Sequence, residues 1–317
     1  ASASGLNTVE VLFTYDNAKP NEAEILNVKK GKNGEFLLSK SPLTCNVNIN
    51  FEDQSLKVGF PNAMKVLGPE LVQSFVKRHE LEHCRSFSDP KFVDMSQEMN
   101  VAMLQQSDTH SFLSKDSWDT YSKIGLPQIV SAMTPKLVQE NSIMASMVPP
   151  NSSEEEIEQA IKDLKEKFSS FSSFSKNAQE TRMGSYQTLL GEAYADVSGI
   201  LIEVGESTGY TNALGDITDV SKYSEFLKKL ELASTSIAED RKNGFEISAL
   251  GPSGFSEHQT SFSLEALSSV VTPDSSIFDI ASKATKIGMS KMMEDQGFSA
   301  PKGWSKTESM SFNGPKM

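Results

Sequence analysis

Residues 71–87 read LVQSFVKRHELEHCRSF and contain His79-Glu80-Leu81-Glu82-His83, an HExxH pattern. Residues four apart on a helix project from one face, one above the other, so the two imidazoles form a pair. Val72, Phe75, Val76, His79, His83 and Phe87 follow the same spacing, which makes the histidine face the apolar one. Lys77, Arg78, Glu82 and Arg85 largely fill the remainder, as an amphipathic helix requires. Two imidazoles directed into a core are costly unless something satisfies them. A Zn²⁺ ion held by both rings does so, and Glu80, on the next position, can reach water held by that ion. The plain alternative is a pair of core histidines bonded to the backbone, or an incidental pair on a surface helix.

The chain has 317 residues and a net charge of −12. That length suits one large domain or two of moderate size. The acidic balance argues against nucleic acid and against an anionic membrane surface, since phosphates are met by basic patches. No run approaches the roughly 18 apolar residues that a membrane span needs, and the start carries no signal-peptide pattern. Cys45 and Cys84 are too few to suggest a disulfide framework. Cys84 sits off the histidine face and reads as a packed thiol. The expected setting is therefore cytoplasmic, or delivery or secretion without disulfides.

Working outward, residues 8–15, 23–28, 35–38, 45–51 and 56–60 read as short strands between Gly, Pro, Asn and Asp signals. Pro61-Asn62 ends them, and the HExxH helix starts near Gly68-Pro69. Beyond Pro90 the pattern is helical, with helices expected over 91–106, 116–124, 127–147, 153–169, 178–206, 219–241, 260–270 and 275–295. Ser152-Ser153 lead into an acidic first turn, Glu154–Glu156, which suits the helix dipole. Residues 168–175 (FSSFSSFS) read as a loop or frayed helix end, and Met133, Met144 and Met147 as core fillers. The fold class is α+β: a small N-terminal sheet and the HExxH helix over 1–90, a helical insertion over 91–177, and a helical C-terminal part over 178–317.

That last part holds a second pattern. In MGSYQTLLGEAYADVSGILIEV, residues 183–204, the residues Leu189, Glu192, Ala193, Asp196, Ile200 and Glu203 share one helical face. Glu192 and Asp196 fall inside the apolar stripe, where carboxylates need cationic or metal partners. One turn apart, they suit a metal ligand and a carboxylate that accepts the free ring N–H of a ligating histidine. Salt-bridging surface acids are the alternative.

HExxH followed by Glu-x-x-x-Asp resembles the gluzincins, the zinc metallopeptidases that include thermolysin. Ala195-Asp196-x-x-Gly199 is similar to the A-D-x-x-G/A form of HtpX-type zincins. The resemblance covers about 20 residues. It implies a zincin-like helical domain with one Zn²⁺ per chain, held by His79, His83 and Glu192, with Asp196 behind the ligands. The activity implied is that of a zinc metalloendopeptidase, with zinc-activated water as the attacking group, Glu80 as general base and a protein or peptide as substrate. His258, after the glutamate helix, is the implied hydrogen-bond donor to the developing oxyanion. Tyr186, Tyr194 and Tyr210 compete for that role, and His110 reads as a loop residue. Residues 84–191 separate the ligand pairs, many more than in thermolysin, so a helical insertion lies between them. Substrate is expected along Ser55–Phe60 by strand addition, with Gly59, Asn62 or Ala63 offering backbone groups. Two other readings stand beside this one: an inactive or structural zincin scaffold that binds a partner, and a zinc hydrolase of a non-peptide amide.

Overall fold

The computed structural model describes residues 9–19, 21–26, 43–50, 53–105, 130, 133–140, 144–145, 147–167, 171–244, 260–273, 275–295 and 298–305. The chain divides into two compact units, residues 1–106 with 183–317, and residues 107–182.

The first unit opens with a three-stranded sheet of β1 (Val9–Thr14), β2 (Glu22–Leu26) and β3 (Leu43–Asn48), in the order β1-β3-β2. β3 pairs parallel with β1, Val9 opposite Leu43, and antiparallel with β2, Glu22 opposite Asn48. Side chains alternate between faces as a strand dictates. Val9, Val11, Phe13, Ala23 and Ile25 line the inner face with Cys45, Val47 and Ile49, and Cys84 joins them. The loop from β1 to β2 passes the end of β3, where Asn48 holds it. Asn48 Nδ2 donates to the Asp16 and Lys19 carbonyls, and its Oδ1 accepts from Thr14 Oγ1 at 2.8 Å and from the Asp16 amide at 3.1 Å. The strand expected over 35–38 lies outside the described residues.

Helices follow: α1 (Asp53–Gly59), α2 (Pro61–Leu67), α3 (Pro69–Ser86) and α4 (Pro90–Gln105). α1 corrects the strand expected over 56–60. Residues 53–59 are helical, with Leu56 buried at 2% exposure. In a run this short, Leu56, Val58 and Phe60 alternate as a strand would, and β-rich composition does not separate strand from helix. Proline at the first position starts α2 and α3, where a missing N–H costs nothing. Gly68 between them takes φ of +84°, a conformation glycine adopts without steric cost.

Cys45 of β3 and Cys84 of α3 form a disulfide. This corrects the reading of Cys84 as a packed thiol and the expectation of a chain without disulfides. Two cysteines 39 residues apart make no pattern in sequence; only the packing of α3 on the sheet brings them together.

The long helix α7 (Phe171–Thr208) carries GEAYADVSG. A 3₁₀ turn (Val220–Lys222) leads into α8 (Tyr223–Gly244), and α9 (Ser261–Val270) and α10 (Ile277–Asp295) complete the unit. Trp304, 1% exposed, anchors the following segment by donating from its indole N–H to Glu98 at 2.7 Å. No helix among the described residues is long and apolar enough to cross a membrane.

In the second unit, α5 (Pro135–Glu140) and α6 (Glu154–Lys167) enclose Val130, Met133, Val138, Met144, Val148, Ile157 and Ile161. α6 begins with a capping box: the Ser153 amide donates to Glu156 at 2.7 Å, and the Glu156 amide to Ser153 Oγ at 3.3 Å. The single helix expected over 127–147 is broken at Met133-Thr134, ahead of Pro135, which begins a new helix rather than continuing one. Residues 116–124 lie outside the described residues. α7 starts at Phe171 and so takes in most of the Ser/Phe run.

Candidate metal centre

α3 and the turn that follows it meet α7 along a ladder of polar contacts. Tyr194 Oη donates to Asp89 at 2.6 Å, Ser198 Oγ to Glu82 at 3.0 Å, and Arg78 Nε to Glu203 at 3.2 Å. Residue numbers fall along α3 as they rise along α7, so the helices run in opposite directions. Gly199 sits at this crossing, where a Cβ would rest in ordinary contact with the His79 backbone and the Phe75 ring, each at 3.5 Å. Glu82 is buried rather than on the solvent face, because Arg85 at 2.7 Å and Ser198 satisfy it.

At the centre of this ladder the structure brings together His79, His83 and Glu192. His79 Nε2 lies 3.1 Å from Glu192 Oε2, His83 Nε2 lies 3.0 Å from Glu192 Oε1, and the two Nε2 atoms are 3.1 Å apart. One ligand atom from each residue falls within 4.8 Å of the others, so the three could hold a metal ion. A tetrahedral ion with ligands at 2.0–2.1 Å spaces its donors by about 3.3 Å. The observed separations suit such an ion, and the donor set, two imidazoles and a carboxylate, suits a borderline-soft cation.

The other edge of the His79 ring faces Asp196, whose Oδ1 is 2.7 Å from Nδ1. Asp196 is fully buried. It meets Arg241 of α8 at two points, Nε to Oδ2 at 2.9 Å and Nη2 to Oδ1 at 2.8 Å. Sequence reasoning reached Asp196 but missed Arg241; the one available signal was that a buried carboxylate calls for a cation.

Burial would depress the His79 imidazole, yet the Asp196 and Glu192 carboxylates outweigh it and raise its pKa to about 10. Burial works against ionised Asp196 too, but Arg241 and then His79 hold it down at about 2. Glu192 is likewise held well below the usual carboxylate range, burial being overcome by His79 and His83. Glu80 goes the other way. It is 8% exposed, and burial raises it against the pull of the two histidines. The two neighbouring carboxylates thus shift in opposite directions, Glu192 down and Glu80 up.

His258 and His110 lie outside the described residues. Tyr194 Oη is engaged by Asp89, Tyr210 Oη donates to the Pro273 carbonyl at 2.8 Å, and Tyr186 is fully buried. The Ser55–Phe60 substrate strand falls with its helical conformation. The Asn62 and Ala63 amides are not open to a substrate either, since they donate to Asp240 at 2.9 and 2.8 Å.

Compared with protein-family models, with curated proteins and with solved structures, the chain gives no match.

Proposed function

We propose that the chain is a zinc-dependent metalloendopeptidase. The observation that carries this reading is the meeting of Glu192 with His79 and His83, across 108 intervening residues (84–191). A helix with two satisfied core histidines calls for no distant carboxylate bridging both rings. Three donors at metal spacing, with Glu80 one position along from the first, answer the need of a hydrolytic site.

His79, His83 and Glu192 would hold the ion, and zinc in such a set supplies Lewis acidity toward a carbonyl and toward water. Asp196, with Oδ1 2.7 Å from His79 Nδ1, would hold that ring with Nε2 turned to the ion. The Glu80 carboxylate accepts the proton of the attacking water and returns it to the departing amine nitrogen. Its raised pKa suits a group that must both take and release a proton. The proposed substrate is a protein or peptide.

Glu80→Gln separates this reading from a structural zincin scaffold. A peptidase loses at least about a hundredfold in kcat while its zinc content stays at the wild-type level. Undiminished hydrolysis in that variant would sink the proposal.

A further inference from the structure

α8 contributes a residue to the centre that neither half of the metal pattern contains. Arg241 lies in its last turn, with its side chain 22% exposed and its fork closed on both oxygens of Asp196. Asp196 Oδ1 therefore receives two neighbours at once, Arg241 Nη2 at 2.8 Å and His79 Nδ1 at 2.7 Å. A carboxylate with one partner can turn about its Cβ–Cγ bond. One gripped at two points by a planar fork has a fixed plane. That plane sends Oδ1 to the His79 ring edge remote from Glu192.

A second set of contacts ties the same arginine to the same ring. Arg241 Cζ lies over the Phe60 ring at 5.2 Å, Phe60 meets Phe75 edge-on at 6.0 Å, and Phe75 meets His79 edge-on at 6.2 Å. Next to it, Asp240 caps the start of α2 by accepting from the Asn62 and Ala63 amides. Two consecutive residues thus have separate duties, Asp240 to the fold and Arg241 to the metal ligand.

We infer that Arg241 is a positioning residue of the metal centre: its two-point grip on Asp196 aims His79 Nε2 at the metal. This rests on the reading of His79, His83 and Glu192 as metal ligands. The consequence is that α8 belongs to the site, and that its displacement would loosen the metal without touching a ligand.

The test measures zinc affinity by chelator competition, together with the visible absorption of the Co²⁺-substituted protein, in wild type, Arg241→Met, Arg241→Lys and Asp240→Ala. Loss of an outer partner of a metal-bound histidine weakens binding by about 10- to 100-fold. That loss is expected in Arg241→Met, with displaced Co²⁺ bands. Arg241→Lys keeps a charge beside Asp196, and with it the fold, but an ammonium lacks the planar fork that fixes the carboxylate plane; it is expected to bind zinc at least about fivefold more weakly than wild type. Asp240→Ala is expected to lower the melting temperature and leave affinity and spectrum alone. Wild-type affinity and bands in both Arg241 variants would overturn the inference, as would an equal loss of affinity in Asp240→Ala. A wild-type protein that binds neither metal would bring down the metal-site reading itself, and this inference with it.

Discussion

Asp196 holds an oxygen 2.7 Å from Nδ1 of His79, on the edge of the ring opposite the one that faces Glu192. The ring therefore has one nitrogen committed to a buried carboxylate and the other directed at the cluster. Asp196→Asn keeps the shape but removes the charge of a buried carboxylate paired with Arg241, whose side chain is partly exposed. Breaking such a pair costs about 3 kcal/mol of stability, and loss of the histidine's partner weakens metal binding about 10- to 100-fold. Denaturant unfolding and chelator competition would measure the two effects, and an unchanged zinc affinity would remove Asp196 from the site.

The charge state of His79 predicts proton release. Its pKa of about 10 stands above the ordinary 6.5. In metal-free protein it therefore contributes stability fully present below pH 6.5 and lost as pH rises through about 10. A metal needs the Nε2 lone pair, so uptake at about pH 7.5 should expel at least one proton per ion. Calorimetry in buffers of different ionisation enthalpy reads that number directly. Zero protons would mean that His79 is neutral beforehand, or is not a ligand.

The Cys45–Cys84 disulfide ties the residue after His83 to the central strand of the sheet. Closing a loop of 39 residues stabilises a fold by about 3 to 4 kcal/mol in the chain-entropy account. Cys45→Ser with Cys84→Ser should lower the unfolding free energy by that order. Intact protein unfolded without reductant should show no reactive thiol. Two free thiols there, with unchanged stability in the double variant, would contradict the pairing.

Much of the centre was legible because both ligand helices advertise themselves by period. His79 and His83 share the apolar stripe of α3, and Glu192 and Asp196 share that of α7; each pair breaks the rule that buried faces are apolar. Arg241 breaks no rule, since an arginine in a last helical turn is ordinary, and only the tertiary fold sets it against Asp196. The same holds for the disulfide, whose partners lie on a strand and a helix with nothing periodic between them. The sheet was legible where strands alternate over a buried face, as at Val9, Val11 and Phe13. It is not legible at residues 56–60, where five residues with β-like composition carry no period long enough to tell a strand from a turn and a half of helix.

Glu192 carries the central claim, because the two histidines alone make a motif and only the third ligand makes a site. The most direct measurement is elemental analysis of the purified protein beside Glu192→Ala. The account predicts about one zinc per wild-type chain, sharply reduced in the variant, with the fold retained by circular dichroism. Equal zinc in both proteins would contradict it, and so would iron in place of zinc, or no metal after reconstitution.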